Sequence, residues 1–130
     1  MRVYFAAHAT TKDNEAKIAS GWNDTELSDL GIKQAKELGE TFKDIKLDII
    51  CCSDLKRAVD TVKIAFEGKH QVIADQRLRE LNYGDFNGKP SAVVEPMKMQ
   101  HIKEPFPNGE SYEPAVSRVR GFYAELKEKS

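Results

Sequence analysis

Residues 47–66 read LDIICCSDLKRAVDTVKIAF, and the order of the patterns within them indicates the fold class. The stretch opens with a short apolar run that is typical of a buried strand. Apolar residues then recur at spacings of three and four, which predicts an amphipathic helix capped by Ser53 or Asp54. Gly68 is expected to end that helix. A strand followed directly by a helix is the unit of an α/β fold.

Similar patterns lie on both sides of this unit. Residues 13–27 and 75–109 show no regular spacing of apolar residues. Elsewhere predicted strands alternate with predicted helices, which predicts an α/β three-layer sandwich with a mostly parallel sheet. The predicted elements are a buried strand at 3–7, a helix capped by Ser28 with the stripe Ile32, Ala35, Leu38, Gly39 and Phe42, a strand at 71–74, and a helix starting near Ser111 with Val116, Val119, Phe122, Tyr123 and Leu126 as its buried side.

Length and composition narrow the classes of protein to consider. A chain of 130 residues predicts a single domain over 1–130. The 20 Lys and Arg residues nearly balance 21 Asp and Glu residues, so we expect no nucleic-acid partner. No apolar run approaches the roughly 20 residues of a membrane span, and 3–7 is too short for a secretory signal. The adjacent Cys51 and Cys52 are not expected to pair, which favours a reduced, cytoplasmic protein.

Four side chains at predicted strand ends are candidates for chemistry. His8 follows the first strand, Arg57 lies in the helix after the second, and Glu80 and Tyr83 follow the third. Ligands of open α/β sheets bind at the carboxyl ends of the strands. A histidine, an arginine and a carboxylate together there could attack, clamp and protonate a phosphate ester. Position alone leaves the structural interpretation open, in which each is a surface or packing residue.

Other site types find less support in the sequence. There is no glycine-rich loop of the P-loop or dinucleotide type. His8, His70 and His101 lack the short paired spacings of a zinc site. A Cys–His nucleophile pair is conceivable, but no local motif supports it.

Five ordered blocks, spread over most of the chain, resemble those of one known family. They are MRVYFAAHAT at 1–10 with Asn14, GWNDTELSDLGIKQA at 21–35, SDLKRAVDT at 53–61, RLRELNYGDFNG at 77–88 and PNGESY at 107–112. On these blocks the chain is similar to the histidine phosphatase, or phosphoglycerate-mutase-like, superfamily. The resemblance implies that family's three-layer fold and phosphoryl transfer on a small phosphorylated substrate.

The resemblance also implies a role for each matching residue. His8 would be the nucleophile that becomes phosphohistidine, and Glu80 would be the general acid that protonates the leaving alkoxide. Asn14 and Arg57 would hold the phosphoryl oxygens. The resemblance further implies that the Gly21 backbone lies near the ester and that Tyr83 lines the pocket. It implies neither a metal nor an organic cofactor.

Two departures from the family pattern bear on activity. The arginine that directly precedes the family's nucleophile is Ala7 here, which removes one charged contact to phosphate. The family's second catalytic histidine follows a late strand, beyond the helix near the end of this sequence, so the resemblance covers the first two thirds of the fold. We therefore expect an impaired phosphomonoester phosphatase. A non-catalytic phospho-ligand-binding or scaffold domain and a phosphoglycerate-mutase-type phosphotransferase stay open as alternatives, as does a homo-oligomer.

Overall fold

The computed structural model describes residues 1–129 and is built from short strands and longer helices. The strands are β1 (Ile18–Ala19), β2 (Ile50–Cys52), β3 (Val72–Ala74) and β4 (Lys89–Pro90). The α-helices are α1 (Lys12–Glu15), α2 (Asp29–Phe42), α3 (Lys56–Phe66), α4 (Ser91–Val94) and α5 (Tyr112–Glu128), and 3₁₀ helices cover Gln76–Leu78, Gly84–Phe86 and Glu95–His101.

Two small sheets are present in the described part of the chain. β2 and β3 pair in parallel, with Cys51 opposite Ile73, as the strand–helix–strand pattern predicts. β1 and β4 pair antiparallel, with Ala19 opposite Lys89. The second sheet and α1 lie in stretches without a clear period, and they are not predicted from the sequence.

Two of the three ends predicted for helices α2 and α3 are found, and the two helices pack closely. The Ser28 hydroxyl accepts a hydrogen bond from the Gly31 backbone and so caps α2. Glu67 and Gly68 both adopt positive φ and end α3. Gly39 of α2 lies so close to α3 that an added Cβ would come within 2.2 Å of the Ala65 carbonyl. A larger residue at Gly39 would force the two helices apart.

The predicted cap of α3 is wrong. Leu55 occupies the cap position, and its side chain makes no capping bond. Ser53 Oγ accepts from the Leu55 backbone instead, one residue before the helix, and the Asp54 carboxylate binds Arg79. Asp24 Oδ1 accepts from the first helical N–H, that of Lys56, at 2.9 Å. The first turn is thus capped by a residue that is distant in sequence.

The predicted buried strand at 3–7 is absent. These residues form no ladder in the described chain, and the Phe5 side chain is 90% exposed. Within this stretch the Tyr4 ring packs against the Phe42 ring of α2, with the ring centroids 5.4 Å apart. An apolar run indicates a strand only where a neighbouring backbone pairs with it, and β2 pairs with β3 alone.

The predicted buried side of α5 is also only partly right. Phe122 is buried, as expected, together with Ala115, whereas Val116, Val119 and Tyr123 are each more than 40% exposed. The reason is that α5 packs onto the 3₁₀ helix at 76–78 through the side that carries Arg118 and Phe122, where the Arg77 guanidinium lies 5.3 Å from the Phe122 ring centre.

Two clusters of buried residues carry the site. The smaller cluster consists of Ala9, Leu27 and Ala35, and the half-buried Ile64 packs against it. The larger cluster is Leu81, Tyr83, Val94, Phe106 and Ala115. No helix within residues 1–129 combines the length and the apolar character that a bilayer crossing requires.

Candidate active site

His8 is anchored through the residue that follows it. The small side chain of Ala9 is buried, and its backbone N–H donates to Thr61 Oγ1 of α3 at 3.1 Å. Thr61 Oγ1 in turn donates to the Arg57 carbonyl at 2.7 Å. The backbone beside His8 is therefore tied to the same helix that carries Arg57.

A second contact holds this backbone against α2. An added Cβ at Gly31 would lie 1.9 Å from the Thr10 carbonyl oxygen, so only glycine permits the observed approach. The Thr10 N–H donates to Gln34 Oε1, and the Thr10 carbonyl accepts from the Ser28 N–H. His8 thus projects from a backbone that is fixed on two sides, although its own side chain is exposed.

Within residues 1–129, the His8 ring is hydrogen-bonded through one of its two nitrogens. Nδ1 lies 2.6 Å from the Ala9 carbonyl oxygen. A carbonyl can only accept, so Nδ1 carries the hydrogen of this bond. In the neutral ring Nε2 then holds the lone pair, which is the form a nucleophile needs.

Arg57 is the buried cation of the site, with a side chain that is 3% exposed. Nη1 donates to the Asn23 carbonyl, and Nη2 donates to the Gly21 carbonyl and to Glu80 Oε2. A guanidinium has five N–H groups, so these three bonds leave two for a ligand. Its planar geometry suits the oxygens of a phosphoryl group.

Glu80 and Tyr83 form a hydrogen-bonded pair next to Arg57. The Tyr83 hydroxyl donates to Glu80 Oε1 at 2.9 Å, while Oε2 accepts from Arg57 at 3.0 Å. Burial first, and then the charge of Glu80, raise the pKa of Tyr83 well above its ordinary value. Tyr83 therefore stays protonated and donates to the carboxylate.

Arg118 of α5 holds the segment that carries Glu80. Its guanidinium donates to the backbone carbonyls of Arg77, Arg79 and Glu80 at 2.7–3.0 Å, and it is paired with the Glu110 carboxylate. Trp22 Nε1 donates to the same Glu80 carbonyl at 2.7 Å. These bonds fix the backbone from which the Glu80 side chain reaches Arg57.

Asn14 and Gly21 reach the site in different ways. Asn14 Oδ1 accepts from the Thr11 N–H in the cap of α1, so its amide N–H₂ is the group left to donate to a ligand. Gly21 has a φ of +57°, and an added Cβ would lie 1.9 Å from Asn87 Oδ1. Its carbonyl contacts Arg57 rather than facing a ligand directly.

A polar cleft of about 120 Å³ brings most of these groups together. Five of the six predicted site residues line it: His8, Asn14, Arg57, Glu80 and Tyr83. The sixth, Gly21, is not a lining residue. Sequence reasoning missed the remaining lining residues, which carry no motif of their own and come from α1, β1 and the 90–98 segment: Thr11, Ile18, Ala19, Ser20, Ser91, Glu95 and Lys98.

The remaining histidines and the cysteines lie away from this cleft. The His70 ring is 5.5 Å from Phe66, and His101 stacks on Phe106 at 4.0 Å. Cys51 and Cys52 are half-buried thiols whose pKa values are raised, chiefly by burial. Among residues 1–129 no three His, Cys, Asp or Glu side chains are grouped as metal ligands.

Comparison with known proteins identifies the family. The profile of the histidine phosphatase superfamily (branch 1) matches residues 3–130, and the chain belongs to this superfamily. A Hydrogenobacter thermophilus protein named "Putative phosphoserine phosphatase 2" is 35% identical over 97% of this chain and 66% of its own length. A 2,3-bisphosphoglycerate-dependent phosphoglycerate mutase of Streptococcus pneumoniae is 37% identical over 71% of this chain and 43% of its own.

Solved structures show the same fold. A mycobacterial glucosyl-3-phosphoglycerate phosphatase, in complex with VO₃, is 34% identical with a TM-score of 0.80, over 95% of this chain and 63% of that one. The phosphoglycerate-mutase-like α/β architecture expected from the sequence is confirmed. The chain spans about two thirds of the length of these phosphatase relatives.

Proposed function

We propose that this chain binds a small phosphomonoester in the cleft and transfers its phosphoryl group to His8. The observation that carries the proposal is that His8, whose Nδ1 is bound to the Ala9 carbonyl, lines the same cleft as the Arg57–Glu80–Tyr83 cluster. The family match and the relatives named as phosphatases support it. The mycobacterial structural neighbour adds a complex with VO₃, an oxyanion related to phosphate.

The first step forms a phosphohistidine. The Nε2 lone pair of His8 attacks phosphorus, a P–N bond forms and the bond to the ester oxygen breaks. The ring becomes positive, and its Nδ1–H bond to the Ala9 carbonyl stabilises that charge. Arg57 and the Asn14 amide hold the phosphoryl oxygens. Glu80 gives the leaving alkoxide a proton, which a monoanionic ester supplies to it on binding.

The second step restores the site. The Glu80 carboxylate takes a proton from water, which attacks phosphorus as the P–N bond breaks. His8 recovers the lone pair on Nε2, and inorganic phosphate takes the proton from Glu80 and leaves as the monoanion, so Glu80 returns to the carboxylate form in which the cycle began. Tyr83 stabilises the carboxylate form of Glu80 through its hydroxyl hydrogen bond, which matters most in this step.

Turnover is expected to be slow. Ala7 provides no charge beside His8, and hydrogen bonds to charged groups typically contribute about 1.5–3 kcal/mol. Neither His70 nor His101 lines the cleft, so no second histidine assists the phosphoryl group within the described residues.

Ala7 also favours one second candidate, a phospho-ligand-binding domain without turnover. Arg57 and Asn14 are sufficient in principle to hold a phosphate, and such a domain would bind phosphate without ever becoming labelled.

A phosphoglycerate-mutase-type phosphotransferase remains a third candidate because several relatives carry that name. It would transfer the phosphoryl group from His8 to a second hydroxyl instead of to water.

Labelling of the chain tests the proposal. Incubation with a radioactive activated phosphate donor such as phosphoramidate should give an acid-labile, base-stable label on His8. His8→Ala should abolish the label, whereas the matched changes His70→Ala and His101→Ala should leave it. Phosphate binding without label would favour the binding domain, and label that survives His8→Ala would refute the proposed nucleophile.

A further inference from the structure

One side chain connects two segments of the site without lining the cleft itself. Asn87 directly follows the 3₁₀ helix at 84–86 and is half-buried. Its Oδ1 accepts a hydrogen bond from the Tyr83 N–H at 2.9 Å and a longer one, of 3.4 Å, from the Trp22 N–H. A single oxygen thus links the backbone of Tyr83 to the backbone of Trp22, which is distant in sequence.

The turn at 20–23, to which Trp22 belongs, is the part of the site that orients Arg57. The carbonyls of Gly21 and Asn23 each accept a hydrogen bond from the guanidinium. The turn packs so closely on the side-chain oxygen of residue 87 that a Cβ added to Gly21 would overlap that oxygen. A shift of this oxygen would therefore shift the carbonyls that hold Arg57.

The other end of the Asn87 side chain is held as well. Nδ2 donates to Asn82 Oδ1 at 2.8 Å, and the same oxygen accepts from the Gly84 N–H. Asn82 is in turn bound through its own N–H to the Glu110 carboxylate. Because both ends of the Asn87 amide have partners in the protein, the amide has a defined orientation, with Oδ1 facing the two backbone donors.

We propose that Asn87 is a positioning residue, which keeps Arg57 in the orientation that binds a phosphoryl group beside Glu80. Asn87 does not line the cleft, so it acts through the backbone of Trp22 on one side and of Tyr83 on the other. The inference rests on the proposed function of the cleft, because this orientation matters only where a phosphoryl group is bound.

Shortening the side chain tests the role. Asn87→Ala removes the oxygen, and Asn87→Ser leaves a hydroxyl that is too short to reach both N–H groups. Dissociation constants for inorganic phosphate and orthovanadate, measured by calorimetry on the whole chain, should rise several-fold in each variant. Urea unfolding identifies conditions in which the variants are folded, so that a loss of stability does not enter the comparison. Gln100→Ala removes an exposed amide outside the cleft and should leave both constants unchanged.

A double-mutant cycle with Arg57→Lys separates positioning from a general effect on the fold. Asn87→Ala should lower the phosphate affinity several-fold in the unmodified chain. It should lower the affinity much less in the Arg57→Lys background, where the planar guanidinium is already lost. Asn87→Asp keeps the oxygen acceptor and adds a negative charge, which repels phosphate in both backgrounds alike. It should therefore lower the affinity by the same factor in each.

Two results would overturn the inference, and they have different meanings. If the unmodified chain binds phosphate and the shortened variants bind it as tightly, or if their loss is the same in both backgrounds, Asn87 does not position Arg57 and the proposed function stands. If the unmodified chain binds neither phosphate nor vanadate, the proposed function fails and this inference fails with it.

Discussion

Arg57 donates to Glu80 at 3.0 Å, and the two residues differ sharply in exposure: the Arg57 side chain is 3% exposed and that of Glu80 is 44% exposed. The buried guanidinium is fixed by hydrogen bonds to the Asn23 and Gly21 carbonyls. Its carboxylate partner lines the cleft. In the proposed function, this fixed cation would hold the phosphoryl group while the exposed carboxylate exchanges protons with the ligand.

Arg57→Lys should weaken binding of inorganic phosphate several-fold. Lysine keeps the charge, but it loses the planar arrangement that contacts two oxygens at once. Isothermal calorimetry measures the effect, and Lys56→Arg, one residue earlier on the exposed side of α3, serves as the control. Equal affinity in Arg57→Lys would show that the guanidinium geometry is not used.

Ala7→Arg should raise the affinity for vanadate several-fold, because it adds a cation next to His8. Ala6→Arg adds the same charge one residue further from His8 along the chain. It should therefore have little effect. Titration with orthovanadate compares the two, and an equal gain would mean that only the net charge matters.

Gly21→Ala should lower the free energy of unfolding by about 1–3 kcal/mol, since it strains a positive φ. The new Cβ would also push on Asn87 Oδ1, which accepts from the Tyr83 N–H, so Tyr83 should shift. Urea unfolding measures the loss. In the control Gly121→Ala on α5, where no atom lies within 4 Å, a gain of about 0.5–1 kcal/mol is expected.

Arg118→Met should destabilise the chain by about 2–3 kcal/mol, because it removes the charged partner of Glu110 and leaves the Arg77 and Arg79 carbonyls without the Arg118 donor. Since Arg118 positions Glu80, phosphate affinity should also fall. Arg120→Met, on the exposed face of α5, controls for the loss of charge. Unchanged stability and affinity in Arg118→Met would contradict the role given to these hydrogen bonds.

The Glu110–Arg118 pair should make stability depend on acid pH. Burial acts to raise the pKa of Glu110, but hydrogen bonds from Arg118 and the Asn82 N–H outweigh it, and the net pKa is lowered. The unfolded chain then binds more protons, so the stabilisation is present above the ordinary value of 4.5 and is lost as the pH falls below it.

Glu110→Gln checks this pH dependence. The difference in unfolding free energy between the chain and Glu110→Gln should shrink as the pH is lowered from 6 to about 3. The exposed change Glu104→Gln serves as the control. A difference that stays constant over this range would exclude the pair as its source.

Local patterns account for the elements that the sequence predicts well. The hydroxyl of Ser28 caps α2, and Gly68 ends α3 beside Glu67, because both signals act on neighbouring backbone groups. The five motif blocks also predict that His8, Arg57 and Glu80 belong to one site, and the structure brings them to one cleft. Family membership can likewise be predicted from the sequence.

Tertiary structure decides what depends on contacts between distant segments. Asp24 caps α3 in place of Ser53, and the face of α5 that is buried follows from the 3₁₀ helix beneath it. Residues 3–7 have strand-like composition but no strand, since a strand needs a partner backbone. Glu95 and Lys98 join the cleft only because buried Val94 fixes their segment beside Tyr83. Burial and hydrogen bonding between such segments arise only when the chain is folded.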